Sequence, residues 1–315
     1  MARPYPFHTL DVFTATRFAG NPLAVVLNAD DMPGETMQRV AAEFGLSETI
    51  FVMAPEEEGH EAHGLSARVR IFTPVHEMPF AGHPTIGCAV HLAERHWPKG
   101  AFDEVLTLGE EVGPVPVRVR RAKGDKRVHA TFTAPVVPRP MAGRFERGAV
   151  AAALGLAPDD VRADHPVMAH EGGPGFLYVP LASLDALSRA RVVEPDWSAT
   201  MRRDPLRPGA HERDSTYLYA PDPDGEGMAF RARMLAPGGG VAEDPGTGSA
   251  SAILASQLLA AGALADGTTA IRLTQGVEMG RPCEIGVEVD VADGALVAVR
   301  VSGTAVRVTD GQIMA

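Results

Sequence analysis

Glu48, His83 and Asp244 are residues whose type and setting in this chain suit proton transfer. Glu48 lies in Ser47-Glu48-Thr49 with Phe44, Leu46, Ile50, Phe51 and Val52 around it. A carboxyl carried into apolar surroundings is desolvated, which favours its neutral form and suits it to giving and taking a proton. Without that surround, a Glu at a helix–strand junction is an ordinary solvated residue. His83 stands between Gly82 and Pro84 at the start of a helix, where the positive end of the dipole favours a neutral ring. Its plain alternative is a histidine bonded to a nearby carbonyl. Asp244, after Glu243, precedes Pro245-Gly246-Thr247-Gly248-Ser249. Asp244, Thr247 or Ser249 is expected to cap the helix that follows. Capping needs no pair of glycines around a threonine, however. Gly246 and Gly248 let a ligand approach the bare amides of Gly246, Thr247, Gly248 and Ser249.

Two of these turns look like copies of one another. The first runs Arg70-Ile-Phe-Thr-Pro74, then Val75-His76-Glu77-Met78-Pro79, then Phe80-Ala-Gly82-His83-Pro84. The second runs Arg233-Met-Leu-Ala-Pro237, then Gly238-Gly239-Gly240, then Val241-Ala242-Glu243-Asp244-Pro245 and the glycine turn. A repeated turn-into-helix implies two similar halves, each presenting a helix N-terminus with unpaired N–H groups. If those ends face one another, the cleft suits a small anionic substrate.

The elements that must position these residues are legible from periodicity. Tyr5–Phe13 and Asn21–Leu27 read as strands, and Gly34–Phe44 as a helix with Met37, Val40, Ala41 and Phe44 on one face, ended by Gly45. Residues 46–52 lead into a strand, Ala67–Phe72 is another, and Pro84–Arg95 is a helix. Val115, Val117 and Val119 alternate with polar residues before a Gly124-Asp125 turn and a second alternating run, Val128–Phe132. That makes the basic run Arg118–Arg127 a solvated hairpin. The Pro-rich stretch Ala134–Pro140 is the candidate linker. Beyond it, helices are expected at Gly148–Leu154, Ser183–Ala190 and Thr247–Ala261. Strands are expected at Phe176–Pro180, Thr216–Ala220, Met228–Leu235, Ala270–Thr274, Ile285–Val291 and Leu296–Val301. Each half is then strand-rich with one principal small-residue helix.

Composition bounds the rest. The 315 residues exceed the usual single core, so two domains are expected, 1–133 and 134–315, unless the tail after Val301 returns to the first. A net charge of −11 argues against a nucleic-acid surface. No apolar stretch is long enough to span a membrane and no signal-peptide core is visible, so a cytoplasmic protein is expected. Cys88 and Cys283 are the only cysteines; they read as packed small hydrophobes rather than nucleophiles. His60-Glu61-Ala62-His63 lacks zinc-helix spacing, and His91 and His96 read as packed or exposed. The glycine turn lacks the lysine of a phosphate loop, and no Gly-x-Ser-x-Gly elbow occurs.

Six segments in order resemble the phenazine-biosynthesis-like (PhzF) family, within the diaminopimelate epimerase-like superfamily. They are Phe18-Ala-Gly-Asn-Pro22, Ser47-Glu-Thr-Ile-Phe-Val52, Phe80-Ala-Gly-His-Pro84, Arg233-Met-Leu-Ala-Pro237, Glu243-Asp-Pro-Gly-Thr-Gly-Ser-Ala250 and Gln275-Gly-Val-Glu-Met-Gly-Arg-Pro282. The resemblance implies an α+β fold of two pseudo-symmetric domains, each a strongly curved sheet wrapped around a central helix, with the site between them. It implies a cofactor-independent isomerase, commonly a homodimer, for which trans-2,3-dihydro-3-hydroxyanthranilate is the substrate of the phenazine enzyme. The family's catalytic glutamate, histidine and aspartate fall on Glu48, His83 and Asp244, and its substrate-contacting positions on Gly82, Gly248 and Ser249. Gly246 and the Met234-Leu235 pair depart from the commoner residues and bear on pocket shape. Ala81 and Pro245 stand near the places of the paired cysteines of diaminopimelate epimerase, which excludes a two-thiol racemase. The leading expectation is an isomerase in which Glu48 shuttles a proton on a small carboxylate. The alternatives are a cysteine-independent epimerase using the same residues and a binding protein without turnover.

Overall fold

The computed structural model describes residues 3–55, 65–143, 145–201, 215–237 and 242–315. By their contacts the residues group into two units, Met1–Thr133 with Ser302–Ala315, and Ala134–Val301. The His60–His63 cluster and the glycines Gly238–Gly240 lie outside the described residues.

In the first unit the elements are β1 (Pro4–Val12), β2 (Asn21–Val26), α1 (Gly34–Phe44), β3 (Glu48–Met53), β4 (Ala67–Phe72), β5 (Glu77–Met78), α2 (Gly82–His96), β6 (Phe102–Glu110), β7 (Gly113–Arg121) and β8 (His129–Thr133). The apolar face expected for α1 is the face that packs: Met37, Val40 and Ala41 join Tyr5, Val26, Phe51 and Phe72, with Phe44 against them. Gly45 closes this helix in the left-handed conformation at φ 61°, its N–H donating to the Ala41 carbonyl. In β7 the valines Val115, Val117 and Val119 are buried and the intervening residues face out; Arg118 grips Asp103 on β6. The run is thus a hairpin face, as its alternation implies.

The second unit contains β9 (Arg139–Pro140), α3 (Arg147–Ala153), β10 (Met168–Glu171), β11 (Gly175–Pro180), α4 (Leu184–Arg189), α5 (Asp196–Thr200), β12 (Thr216–Pro221), β13 (Met228–Leu235), β14 (Glu243–Asp244), α6 (Gly248–Ala260), β15 (Gly267–Gln275), β16 (Cys283–Ala292) and the start of β17 (Ala295–Met314). Besides the two-residue strands β9 and β14, β10 and α5 escape sequence reading. Both are short, and the periodicity of a five-residue segment decides nothing. Their anchors are tertiary: Trp197 of α5 is fully buried in a cluster with Val150, Leu187 and Leu218. His170 of β10 is fully buried against α6, bonded to Ser256 Oγ at 2.9 Å and Gln257 Oε1 at 2.8 Å.

Strand pairing follows one scheme in both units. In the first, β1–β2 is antiparallel, β2–β3 parallel, β3–β4 antiparallel, β4–β6 parallel and β6–β7 antiparallel. In the second, β10–β11, β11–β12, β12–β13, β13–β15 and β15–β16 repeat that series in the same sense. Within its unit, α2 packs against β1, β2, β3, β6, β7 and β8, and α6 against β9, β10, β11 and β16. Every residue of α2 from Gly82 to Ala93 is buried. A helix enclosed on all sides must be apolar and small all round, which explains Ile-Gly-Cys-Ala-Val in α2 and Ala-Ser-Ala-Ile-Leu-Ala in α6. Gly87 shows the constraint: a Cβ there would stand 2.6 Å from Leu23 Cδ2.

The last strand runs well past its expected end at Val301. Its C-terminal part returns to pair antiparallel with β1, from Val12↔Ala305 to Pro4↔Met314, and those residues belong to the first unit. This stretch is half exposed, so it lacks the clean alternation that marks a strand in sequence.

Gly45→Ala tests the helix stop of α1 in isolation. The nearest atom to an added Cβ is the Ala42 carbonyl oxygen at 3.9 Å, so only the φ of 61° opposes it. A loss of about 1 kcal/mol is expected in urea unfolding.

Candidate active site

Each unit carries one turn that delivers the chain into its enclosed helix, and the two are built alike. In the first, Ile71 pairs with Met78 and Phe72 with Glu77; in the second, Met234 pairs with Asp244 and Leu235 with Glu243. The residue before each pair is an arginine gripping a glutamate through two bonds. Arg70 holds Glu77 at 2.6 Å twice. Arg233 holds Glu243 at 2.8 and 2.9 Å, and its remaining nitrogen caps the carbonyls of Leu187 and Ala190. The bidentate fork fixes both distance and plane. In each unit the helix then begins five residues after that glutamate, at Gly82 and Gly248.

Glu48 and His83 come together in the first unit. Glu48 is the first residue of β3, paired with Leu23 of β2, and His83 is the second residue of α2. His83 Nδ1 lies 3.0 Å from Glu48 Oε2, with the side chains 3% and 17% exposed. The approach is short, but Glu48 Oε2 is buried outside hydrogen-bond alignment. The two groups are thus adjacent without an aligned hydrogen bond, and that oxygen keeps its lone pairs for another group. Gly82 and His83 open the helix without intrahelical acceptors for their N–H groups, and Pro84 has no N–H to satisfy.

In the second unit Asp244 ends β14, half buried. Its Oδ2 accepts from the Thr247 hydroxyl at 2.5 Å. Gln275, fully buried at the end of β15, then ties the turn together. Its Nε2 donates to the Asp244 carbonyl at 2.8 Å and to Thr247 Oγ1 at 3.0 Å, and its Oε1 accepts from the Thr247 amide at 3.1 Å. Two expectations are corrected here. Thr247 occupies the N-cap position but makes no side-chain capping bond, because its hydroxyl faces Asp244. The Thr247 amide does not face a ligand either, because Gln275 has taken it. Gly248 and Ser249 remain as the residues that open α6, Gly248 buried and Ser249 half exposed; Gly246 is buried just ahead of them.

Gln275 falls inside a sequence motif already noted, but nothing in its type marks it as the brace of the Asp244 turn. Gly276 beside it carries a stronger signal. At φ 79° it sits so close to this turn that a Cβ would stand 2.6 Å from the carbonyl oxygens of Pro245 and Arg281. Polar groups beneath both helices are also unmarked in sequence. Thr85 Oγ1 donates to the Ala81 carbonyl at 2.8 Å, and Ser251 Oγ to the Thr247 carbonyl at 2.8 Å. These are the same contact in the two turns.

The other candidates recede. Both cysteines are buried and outside any disulfide, and burial pushes the Cys88 thiol far up, away from thiolate chemistry. Burial and the neighbouring His8 push His91 down to about 3, so its ring is neutral. His96 Nδ1 reaches the Leu92 carbonyl at 2.8 Å. Among the described residues no group of three or more His, Cys, Asp or Glu is placed to hold a metal ion, and no helix is long and apolar enough to cross a membrane.

Comparison with known proteins follows the same lines. The family model for phenazine biosynthesis-like proteins matches residues 10–311. An uncharacterized isomerase of Mesorhizobium japonicum is 40% identical over 304 residues, 96% of each chain. The trans-2,3-dihydro-3-hydroxyanthranilate isomerase of Pseudomonas aeruginosa is 35% identical over 96% of this chain and 97% of its own. Among solved structures, a PhzF-family phenazine biosynthesis protein of Bacillus anthracis superposes with a TM-score of 0.83 over 99% of both chains at 24% identity, a likeness of fold.

Gly276→Ala should act on the Asp244 turn through the backbone. It adds a φ penalty to a clash with two carbonyl oxygens that no side-chain rotation relieves. A loss of roughly 2–3 kcal/mol is expected in urea unfolding, above that of Gly45→Ala.

Proposed function

Because this chain belongs to the phenazine biosynthesis-like family, whose curated members at 33–40% identity are named isomerases, we propose that it moves a proton within a small carboxylated metabolite with Glu48 as the group that takes and returns it. The observation that carries this reading is the pairing of Glu48 with His83 at the opening of α2. One carboxylate oxygen is buried beside an imidazole, outside hydrogen-bond alignment and with lone pairs to spare. Isomerisation of this kind breaks a C–H bond next to an activating group and forms another elsewhere on the same skeleton. One base, exchanging its proton with solvent between the two steps, suffices, and no redox partner enters. His83 orients the carboxylate. Asp244, braced by Thr247 and Gln275, holds a donor group of the substrate, an amine or hydroxyl. The opening turns of the helices at Gly82 and at Gly248-Ser249 offer amides and favourable potential to the substrate's carboxylate.

In this reading the reaction needs no metal or organic cofactor. The relative from Pseudomonas aeruginosa, named trans-2,3-dihydro-3-hydroxyanthranilate isomerase, makes that substrate the first compound to assay. Incubation in deuterium oxide should put one deuteron into the product at the carbon that gains the proton. A product differing only in configuration would instead establish epimerisation by the same residues.

Glu48→Gln keeps the shape and loses the ionisable group. Turnover should fall by about 10²–10⁴-fold or more while thermal stability and calorimetric ligand binding stay near wild type. Near-wild-type turnover would remove Glu48 from the mechanism.

Asp244→Asn keeps an oxygen for the Thr247 hydroxyl and removes the charge. A substrate-binding role predicts kcat/KM lower by about 10–100-fold, the worth of a charged hydrogen bond, with little change in melting temperature. Unchanged kinetics would leave Asp244 only as part of the turn.

A further inference from the structure

A third carboxyl, Glu110, lies beneath the same helix that presents His83, and the reading above gives it no task. It ends β6, is 8% exposed, and its Oε2 is buried with no hydrogen-bond partner. Its Oε1 stands 2.7 Å from Thr85 Oγ1 on α2. Thr85 Oγ1 is also 2.8 Å from the Ala81 carbonyl oxygen, which can only accept. A hydroxyl has one proton. If Thr85 spends it on Ala81, the Thr85–Glu110 contact needs a proton from Glu110.

The second unit supplies an independent comparison. Arg68 pairs with Gly109 across β4–β6 and Arg231 with Thr274 across β13–β15. With Arg70 matched to Arg233, these pairs coincide, so Glu110 stands where Gln275 stands. The same register matches Thr85 to Ser251 and Ile50 to Tyr217. In the second unit Ser251 donates to the Thr247 carbonyl, and the Tyr217 hydroxyl lies 3.2 Å from Ser251 Oγ and provides the proton. Burial pushes the Tyr217 hydroxyl up, so it stays neutral. Ile50 has no proton to offer, and Glu110 fills the same need.

We propose that Glu110 is held as a neutral carboxylic acid and is a positioning residue for the opening of α2, standing at the place of Gln275 and donating the hydrogen bond that Tyr217 donates in the other unit. Its surroundings agree. The Thr85 hydroxyl and the protonated Cys88 thiol face it from α2. The cavity of about 550 Å³ that it borders also carries Asp30, Arg68, Arg70, Glu77 and Glu111. Arg70 is bonded to Glu77 and Arg68 Nε to the Ala54 carbonyl, and neither guanidinium is hydrogen-bonded to Glu110. Burial raises the Glu110 carboxyl to about 8, partly offset by Thr85. On ionisation the carboxylate can only accept, and Thr85 must release either Ala81 or Glu110. Releasing Ala81 loosens the turn that carries Gly82 and His83.

The sign follows from proton linkage. The unfolded carboxyl ionises at its ordinary value of 4.5, whereas the folded one keeps its proton to about 8. Wild-type stability relative to a non-ionising variant therefore falls between those two pH values and levels off above the second.

The test is ¹³C NMR of protein labelled in its glutamate carboxyls, with no substrate required. One carboxyl should titrate near pH 8 in wild type and in Glu48→Gln, and should be absent from Glu110→Gln. The Gly82 and Thr85 amide resonances should shift between pH 7 and 9 in wild type and not in Glu110→Gln. The melting temperature of Glu110→Gln should rise above that of wild type progressively from pH 5 to 8. Glu110→Ala, equally non-ionising but with no donor for Thr85, should follow the same pH trend displaced to lower melting temperatures throughout. The inference is overturned if all glutamate carboxyls titrate below about pH 6, if the high midpoint survives in Glu110→Gln, if the amide shifts are equal in both proteins, or if the neutral Gln is not tolerated in the fold. None of these outcomes bears on whether Glu48 is the catalytic base.

Discussion

A guanidinium holding a carboxylate through two parallel bonds closes the turn ahead of each central helix, and the arrangement around both helix openings depends on it. Arg70 and Arg233 occupy matching positions on β4 and β13, and Glu77 and Glu243 start the two-residue strands that fold back on them. Such a fork fixes orientation as well as distance, which a single-point ammonium contact would not. With the short strand held in register, the chain has five residues in which to turn and enter the helix. Asp244 and Met78 are thereby placed at equivalent points, as are Gly82 and Gly248. The two turns share a frame and differ in what they carry: an imidazole on one helix, a carboxylate just before the other.

The enclosed helices impose a second constraint. A helix covered by strands on all sides has no solvent to satisfy polar groups, so those beneath it must be neutral and mutually bonded. Gln275, Gln257, Ser251, Ser256, Tyr217 and His170 meet that condition in the second unit. Burial lowers His170 to about 4, and its Nε2–H donates to Gln257 Oε1 while Nδ1 accepts from Ser256. The tautomer is set because the Gln257 amide nitrogen is already donating to the Pro166 carbonyl and the Tyr219 hydroxyl. The same rule singles out the first unit's departures from it. Glu48 approaches His83 at the helix opening, and Glu110 sits below the opening beside a hydroxyl whose proton is engaged. A carboxyl is retained in such a place only if it is neutral, or if it meets a partner that justifies its charge.

How far the sequence carried depended on whether a feature is written locally. The helix α1, with its packing face and its glycine stop, follows from spacing and from a left-handed C-terminal residue, both properties of a single segment. The valine hairpin, the linker at Ala134 and the small-residue helices are legible for the same reason. So are Glu48, His83 and Asp244 as chemically capable residues at turns. The repeated Arg and Glu announced two related halves, because identical local geometry needs identical local residues.

What the chain itself could not announce is pairing between residues far apart in sequence. The last strand bonds to β1 across some three hundred residues, as in Thr9 Oγ1 to Thr309 Oγ1 at 2.6 Å, and its half-exposed pattern leaves no local trace. Thr247 reads in sequence as one of three candidate helix caps and as a free amide. Only the arrival of Gln275 from β15 and the facing Asp244 turned its hydroxyl away and occupied its N–H. Glu110 reads as one more acid on a strand until strand register sets it beneath α2 and beside Thr85. Residue type and spacing determined which groups can do chemistry and which segments are helices or strands. Tertiary structure alone decided which polar atoms are already engaged, because a hydrogen bond between distant segments exists only once both are packed in place.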